Sequence, residues 1–274
     1  MMKFCSVHTH SVLCDGKNTI AEMARAAFAA GAVSFGASGH SHTQISWDEG
    51  CVLPADPVEY RDEVLRLRKE YRGRMDVLLG IEWDSQSDQP PPDWADYWIG
   101  SVHNVYDEKA GVYHCVDWDE KKLEDCCREM YGGDYMAMVE GYYEEMARVA
   151  AMGPTILGHF DGVVKLNRQN RYFDEESAHY ASAALEALHT ADPKASLLEI
   201  NTGAIFRGYR TTPYPAPFLL REWRKMGGRI IFTADAHSTA GIACAYAEAA
   251  ELAKAEGFTE AVLLTRAGPL AYPL

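Results

Sequence analysis

Short apolar runs alternate with longer amphipathic stretches along most of the chain. The runs are "KFCSVH" (3–8), "AVSFGASGH" (32–40), "MDVLLGIEWD" (75–84), "YWIGSVH" (97–103), "PTILGHFD" (154–161), "SLLEINTG" (196–203), "GRIIFTADAH" (228–237) and "EAVLLT" (260–265). Their near-continuous apolar character predicts strands buried on both faces, as in a parallel sheet covered by helices. After the first run, Thr19 and Glu22 stand at capping-box spacing, Ile20, Met23 and Ala27 form an apolar stripe, and Gly31 suits a helix end. After the second, Asp56 is placed to cap a helix with Pro57 in its first position and Tyr60, Val64, Leu67 and Tyr71 on one face. Further helices are predicted over about 119–152, in two pieces around Gly132 and Gly133, and over 175–190, 215–226 and 239–256.

Seven or eight β-α units suggest a closed or distorted (β/α) barrel. An open doubly wound sheet is the alternative, but no G-x-G-x-x-G follows the first strand to support a dinucleotide site. The length of 274 residues suits one barrel, and no linker or shift in composition marks a boundary, so residues 1–274 are expected to form a single domain. The stiffest loop, "DQPPPDW" (88–94), joins two adjacent strands of the same pattern.

Composition narrows the function classes. Apolar residues at 47% and charged residues at 24% are ordinary for a folded globular chain. The net charge of -14 argues against a nucleic-acid partner, whose phosphates need a basic footprint. No run approaches the roughly 18 apolar residues of a membrane span, and "MMKFCSVHTH" does not read as a secretory signal. The seven cysteines are scattered without a C-x-x-C pair, which fits reduced thiols. A cytoplasmic protein is expected. The oligomeric state is not readable, and part of the negative charge could be offset by bound cations.

The polar residues then fall into place on this map. His8 and His10 follow the first strand, His40 and His42 the second; Glu82 ends the third and His103 the fourth; His159 ends the fifth, and Asp235 and His237 end "RIIFT". Any one of these is readily explained as a hydrogen-bonded histidine near a strand end. As a set they are not, because the carboxyl ends of parallel barrel strands open onto one face. Converging imidazoles and carboxylates suit divalent Zn, Mn or Fe, and the set exceeds what one tetrahedral site can use. A cluster of two or three ions follows.

The ordered motifs "HTH", Asp15-Gly16, "GHSH", "GIEWD", "GSVH", "ILGHFD" and "TADAH", spread from residue 6 to residue 238, resemble the PHP (polymerase and histidinol phosphatase) superfamily, in its histidinol-phosphatase branch. The resemblance implies a distorted (β/α)7 barrel with a trinuclear divalent metal centre at the carboxyl ends of its strands. By motif, His8, His10, Glu82 and Asp235 would hold one ion, Glu82, His103 and His159 a second, and Asp15, His40 and His237 the third, with Glu82 bridging. It further implies a metal-dependent phosphomonoesterase acting on L-histidinol phosphate in histidine biosynthesis, with Glu82, Asp235 and His237 central to catalysis. Another small phosphomonoester or a nucleotide is the alternative substrate, and a metal-binding regulatory protein the alternative class. One departure is Gly39, where the family commonly has an acidic residue before the histidine.

A phosphorylated substrate needs cations besides the metals. Arg207, in "NTGAIFRGYR" after the sixth strand, is the first candidate to clamp phosphate. Lys165, Arg168, Arg171 and Arg210 are weaker candidates. His42 either serves the substrate or is a plain loop residue. Trp47, Trp83 and Tyr209 are expected near the cationic end of histidinol phosphate.

Overall fold

The protein is described here by a computed structural model covering residues 3–274. The described residues form eleven strands: β1 (Cys5–Ser6), β2 (Ser34–Ala37), β3 (Asp76–Asp84), β4 (Tyr97–Ser101), β5 (Asn104–Asp107), β6 (Val112–Cys115), β7 (Ile156–Leu157), β8 (Leu197–Asn201), β9 (Arg229–Thr233), β10 (Glu260–Thr265) and β11 (Gly268–Pro273). The main sheet runs β1-β2-β3-β4-β7-β8-β9-β10-β11, parallel throughout except for the final β10-β11 hairpin.

The sheet curls until its first strand meets its seventh. Beyond the carboxyl ends of β1 and β9, Thr9 bridges Ala236 in parallel; His10 N–H donates to Ala236 O at 2.9 Å and Ala236 N–H to His8 O at 3.0 Å. Toward the amino ends β10 takes over beside β9, with Val262 opposite Ile231, and Ser34 Oγ donates to Leu264 O at 2.5 Å. The result is a distorted seven-stranded α/β barrel whose seam is tight at the carboxyl ends and wedged by the β10-β11 hairpin at the other.

Inside the barrel, Tyr97 reaches across the sheet to donate to Val7 O. Gly36 and Gly80 flank that ring so closely that neither has room for a Cβ. Here glycine is required by close approach and not by backbone angle.

Helices α1 (Ile20–Ala29), α2 (Val58–Glu70), α3 (Glu120–Tyr131), α4 (Tyr135–Ala151), α5 (Ala178–Leu188), α6 (Gly203–Phe206), α7 (Pro217–Lys225) and α8 (Tyr246–Ala255) cover the strands. The Thr19–Glu22 capping box starts α1, whose Ile20, Met23, Ala24 and Ala27 are buried. Gly132 and Gly133, with φ of 62° and 90°, separate α3 from α4, and Asp134 caps the latter.

Two expectations are corrected. Pro57, and not Asp56, is the residue that precedes the first turn of α2, which has no side-chain cap. The helix expected from residue 239 begins only at Tyr246, because Ala243 and Ala245 are left-handed and Thr202 Oγ1 holds Cys244 O at 2.7 Å. The β5-β6 hairpin and β11 lie outside the expected strands: β5 and β6 are four residues each, β11 is largely exposed, and none carries the apolar run of a barrel strand. No helix among the described residues is long and apolar enough to cross a membrane.

Candidate active site

Because parallel strands end on one face, Glu82 near the end of β3 and the residues after β1, β2, β4, β7 and β9 are delivered to the same mouth. The backbone assists at two points. His40 pairs with Glu82 as a parallel bridge beyond the end of β2. Asp235 adopts a positive φ of 45°, uncommon for a side-chain-bearing residue, and Arg207 secures it by donating to both its carbonyl and its Oδ2 at 2.8 Å.

Glu82, 1% exposed, lies at the centre. Its Oε1 faces His159 Nε2 at 2.9 Å and His103 Nε2 at 3.1 Å. Its Oε2 faces His8 Nε2 at 3.1 Å, His10 Nε2 at 3.2 Å and His40 Nδ1 at 3.3 Å. Asp235 Oδ1 lies opposite, 3.6 Å from His8 Nε2 and 3.3 Å from His10 Nε2. Asp15 Oδ2 meets His237 Nε2 at 3.0 Å and His40 Nε2 at 3.6 Å. Thus all nine candidate ligands converge, and the two oxygens of Glu82 address different groups of histidines.

These side chains fit a metal centre by their chemistry. His8 Nε2, His10 Nε2, Asp15 Oδ1 and Glu82 Oε2 are buried without a hydrogen-bond partner. Buried polar atoms are normally satisfied, and a converging set of nitrogen lone pairs and carboxylate oxygens is satisfied by a cation. Four groups can each gather ligand atoms within 4.8 Å of one another: His10, Asp15, His40 and His237; His8, His10 and Glu82; His8, His159 and Asp235; and His40, Glu82 and His103. Burial pushes the Glu82 carboxyl up, but the imidazoles of His8 and His40 more than offset it and hold it well below the usual carboxylate range. Burial likewise works against Asp235, and Arg207 and His8 bring it well below its ordinary value.

The mouth is a cavity of about 380 Å³ lined by part of this set together with Arg207, Lys165, Tyr209 and Tyr214. Lys165 Nζ sits 3.3 Å from Asp117 Oδ2 and 5.2 Å from the Tyr209 ring centre. His42 is placed elsewhere: its Nδ1 lies 2.8 Å from Asp88 Oδ1 in the proline-rich loop, and it does not line this cavity. Nor do Trp47, which donates to Asn104 Oδ1, or Trp83, which donates to Gln89 O. Arg210 is committed to Glu175 and Arg171 to Glu120 and Glu124, while Arg168 stands over Tyr209. A Cβ on Gly39 would lie 3.1 Å from the Leu53 side chain, so a larger residue there requires Leu53 to shift by a few tenths of an ångström.

Two carboxylates escaped the sequence reading. Glu199, fully buried beneath the histidines, contacts His8 Nδ1 at 2.6 Å. Its signal was present, since it is the single acidic residue in the run "SLLEI". Asp117, whose Oδ2 is 3.2 Å from His103 Nδ1, follows the unforeseen hairpin and carried no signal of its own.

The PHP domain family model matches residues 5–203, most of the chain. The chain belongs to the PHP domain family. This PHP protein is 28% identical over 263 residues to a Deinococcus radiodurans protein named probable histidinol-phosphatase, covering 91% of this chain and 92% of that one. It is 26% identical over 265 residues to a Bacillus subtilis histidinol-phosphatase, covering 87% and 95%. A crystal structure of the Lactococcus lactis histidinol phosphate phosphatase, complexed with zinc, L-histidinol and phosphate, matches with a TM-score of 0.65 at 19% identity, over 98% of this chain and 99% of that one. That likeness carries the fold.

Proposed function

We propose that this PHP protein is a metal-dependent phosphomonoesterase that hydrolyses L-histidinol phosphate to L-histidinol and phosphate, a step of histidine biosynthesis in the cytoplasm. The observation that carries the reading is Glu82 at the centre of the barrel mouth, one oxygen facing His103 and His159 and the other His8, His10 and His40. The full-length likeness to histidinol-phosphatases of Deinococcus and Bacillus supports the substrate. We take the whole chain as one PHP domain. Asp235 and His237 lie beyond the matched segment, yet β9, which they follow, belongs to the same sheet. The seven cysteines, all free, are in keeping with a reducing compartment.

The metal centre is read as trinuclear. His8, His10, Glu82 and Asp235 would hold one ion, Glu82, His103 and His159 a second, and Asp15, His40 and His237 the third. Zinc is favoured by the Lactococcus complex, and manganese or iron would suit the same nitrogen and oxygen donors. When bound, such ions supply charge stabilisation for a phosphoryl group and lower the pKa of water toward neutrality.

The residues of the chain divide the remaining work. Arg207, held by Asp235 at the rim, presents a fixed guanidinium to the phosphate oxygens. Lys165, held by Asp117, adds a second positive charge at the cavity wall. Asp48, Asp84 and Asp117 line the same cavity, as do the rings of Trp118, Tyr209 and Tyr214. Carboxylates and aromatic faces favour the ammonium and imidazole of histidinol over a neutral leaving group.

Elemental analysis together with a panel of phosphomonoesters tests this. More than one equivalent of transition metal is expected in active protein. The kcat/KM for histidinol phosphate should exceed that for p-nitrophenyl phosphate by about tenfold or more, roughly 1.4 kcal/mol of extra transition-state binding. Arg207→Ala should depress turnover of both esters. Equal efficiency on both esters, or a preference for a nucleotide, would withdraw the histidinol assignment.

A further inference from the structure

We infer that Glu199 is a positioning residue that fixes the tautomer of His8, so that His8 meets the metal centre through Nε2. The inference rests on the metal-dependent reading above.

The Glu199 carboxylate is fully buried and surrounded by donors. His8 Nδ1 lies 2.6 Å and Thr233 Oγ1 2.5 Å from its Oε1; the His159 backbone N–H lies 2.6 Å and Asn201 Nδ2 3.0 Å from its Oε2. With every lone-pair direction engaged, an ionised carboxylate there is an obligate acceptor, so Nδ1 of His8 must carry the proton. The other nitrogen, Nε2, is then a lone pair turned on Glu82 Oε2 and Asp235 Oδ1, and it is one of the atoms without a hydrogen-bond partner. Carboxylates behind ligating imidazoles orient the ring and raise its basicity, and their loss typically weakens metal binding about 10- to 100-fold. Glu199 also anchors the backbone of His159, so a single carboxylate from β8 registers ligands delivered after β1 and β7.

Glu199→Gln separates this role from simple packing, because the amide keeps the shape and changes the hydrogen-bond code. If its oxygen stays with His159 N–H and Asn201 Nδ2, its NH2 faces His8, which must then accept on Nδ1 and carry its proton on Nε2. The reverse orientation sets the NH2 against two donors, the backbone N–H of His159 and the amide of Asn201. The first arrangement is therefore favoured, and it closes the Nε2 lone pair.

The experiment compares zinc-loaded wild type, Glu199→Gln and Thr233→Val by chelator competition and by NMR of 15N-histidine-labelled protein. Wild type should show a slowly exchanging His8 Nδ1–H resonance. Glu199→Gln should lose it and bind its weakest zinc equivalent about 10- to 100-fold less tightly. Thr233→Val removes one donor and leaves the His8 contact, so its zinc affinity should stay within threefold of wild type. Glu199→Gln that keeps the resonance and binds zinc within threefold of wild type overturns the inference. So does a loss in Thr233→Val equal to that in Glu199→Gln. Should Glu199→Gln fail to fold, wild type decides alone, since a zinc-bound His8 lacking the Nδ1 proton is incompatible with the proposal. Failure of wild type to bind zinc would instead strike the metal-dependent reading.

Discussion

Glu82→Gln is the most informative single change because it alters charge and lone pairs while keeping volume. In the wild type, two imidazole nitrogens lie within 3.1 Å of Oε1 and three within 3.3 Å of Oε2. An amide can present an acceptor to only one of these groups; the other meets an N–H that no metal can use. On the proposed reading, whichever way the amide turns, one of the two groups facing Glu82 would lose a ligand oxygen, and the site loses a full negative charge at a residue 1% exposed. Metal-based charge stabilisation is worth several kcal/mol, so a fall in kcat of about 10²- to 10⁴-fold is expected, roughly 3–5 kcal/mol. KM should change less, because Arg207 and Lys165 still line the cavity. Phosphate release from histidinol phosphate gives the rate, elemental analysis the metal content, and circular dichroism the fold. At least one ion should be missing. A folded variant with wild-type metal content and kcat within threefold would refute the bridging geometry.

Metal removal should be felt in stability as well as activity, since it strands buried donor atoms around Glu82. For free metal at 1,000 times its Kd, binding contributes about 4 kcal/mol, so chelation should lower the melting midpoint by on the order of 10 °C for a chain of this size; an unchanged midpoint in fully stripped protein would contradict this. His42→Ala should leave kcat/KM within twofold, because His42 pairs with Asp88 outside the cavity; a tenfold loss would return it to the site. Thr19→Ala removes the side-chain acceptor of the α1 capping box and should cost about 0.5–2 kcal/mol in denaturant titration at fixed metal, with kcat unaffected. A cost below 0.3 kcal/mol would show that the box is not holding the helix.

What could be read in advance was what repeats with the chain's own period. Strand runs and helix stripes follow from apolar spacing, and every candidate ligand except Asp15, which only the motif resemblance supplies, is visible as a polar residue within or just after an apolar run. His8, His10 and Glu82 therefore declared both their strand and its end. What could not be read was contact across the barrel. Nothing in "SLLEI" says that Glu199 meets a histidine 191 positions earlier, because that contact depends on the curl that brings the end of β1 against β9. Asp117 needed the β5-β6 hairpin to carry it to His103, and a four-residue strand with exposed positions leaves little pattern. His42 is the opposite case. Its i+2 spacing from His40 equals that of His8 and His10, yet Asp88 draws it to the proline-rich loop.

The contrast between the two H-x-H pairs shows what decides a site here. Both follow a barrel strand, so spacing places both near the mouth. For His8 and His10 the intervening Thr9 is bridged to Ala236 in the seam, with its Oγ1 donating to Gly36 O, which turns both imidazoles onto Glu82 and Asp235. For His40 and His42 only the first residue is bridged, to Glu82 itself, and the chain leaves the sheet at Ser41, whose N–H is bound by Glu82 O. His40 is kept facing Glu82 because backbone pairing resumes at the isolated His40–Glu82 bridge three residues past β2, and His42 is released because that pairing ends at Ser41. The last rung of each strand, more than the identity of the histidine, selects which side chains the cavity receives.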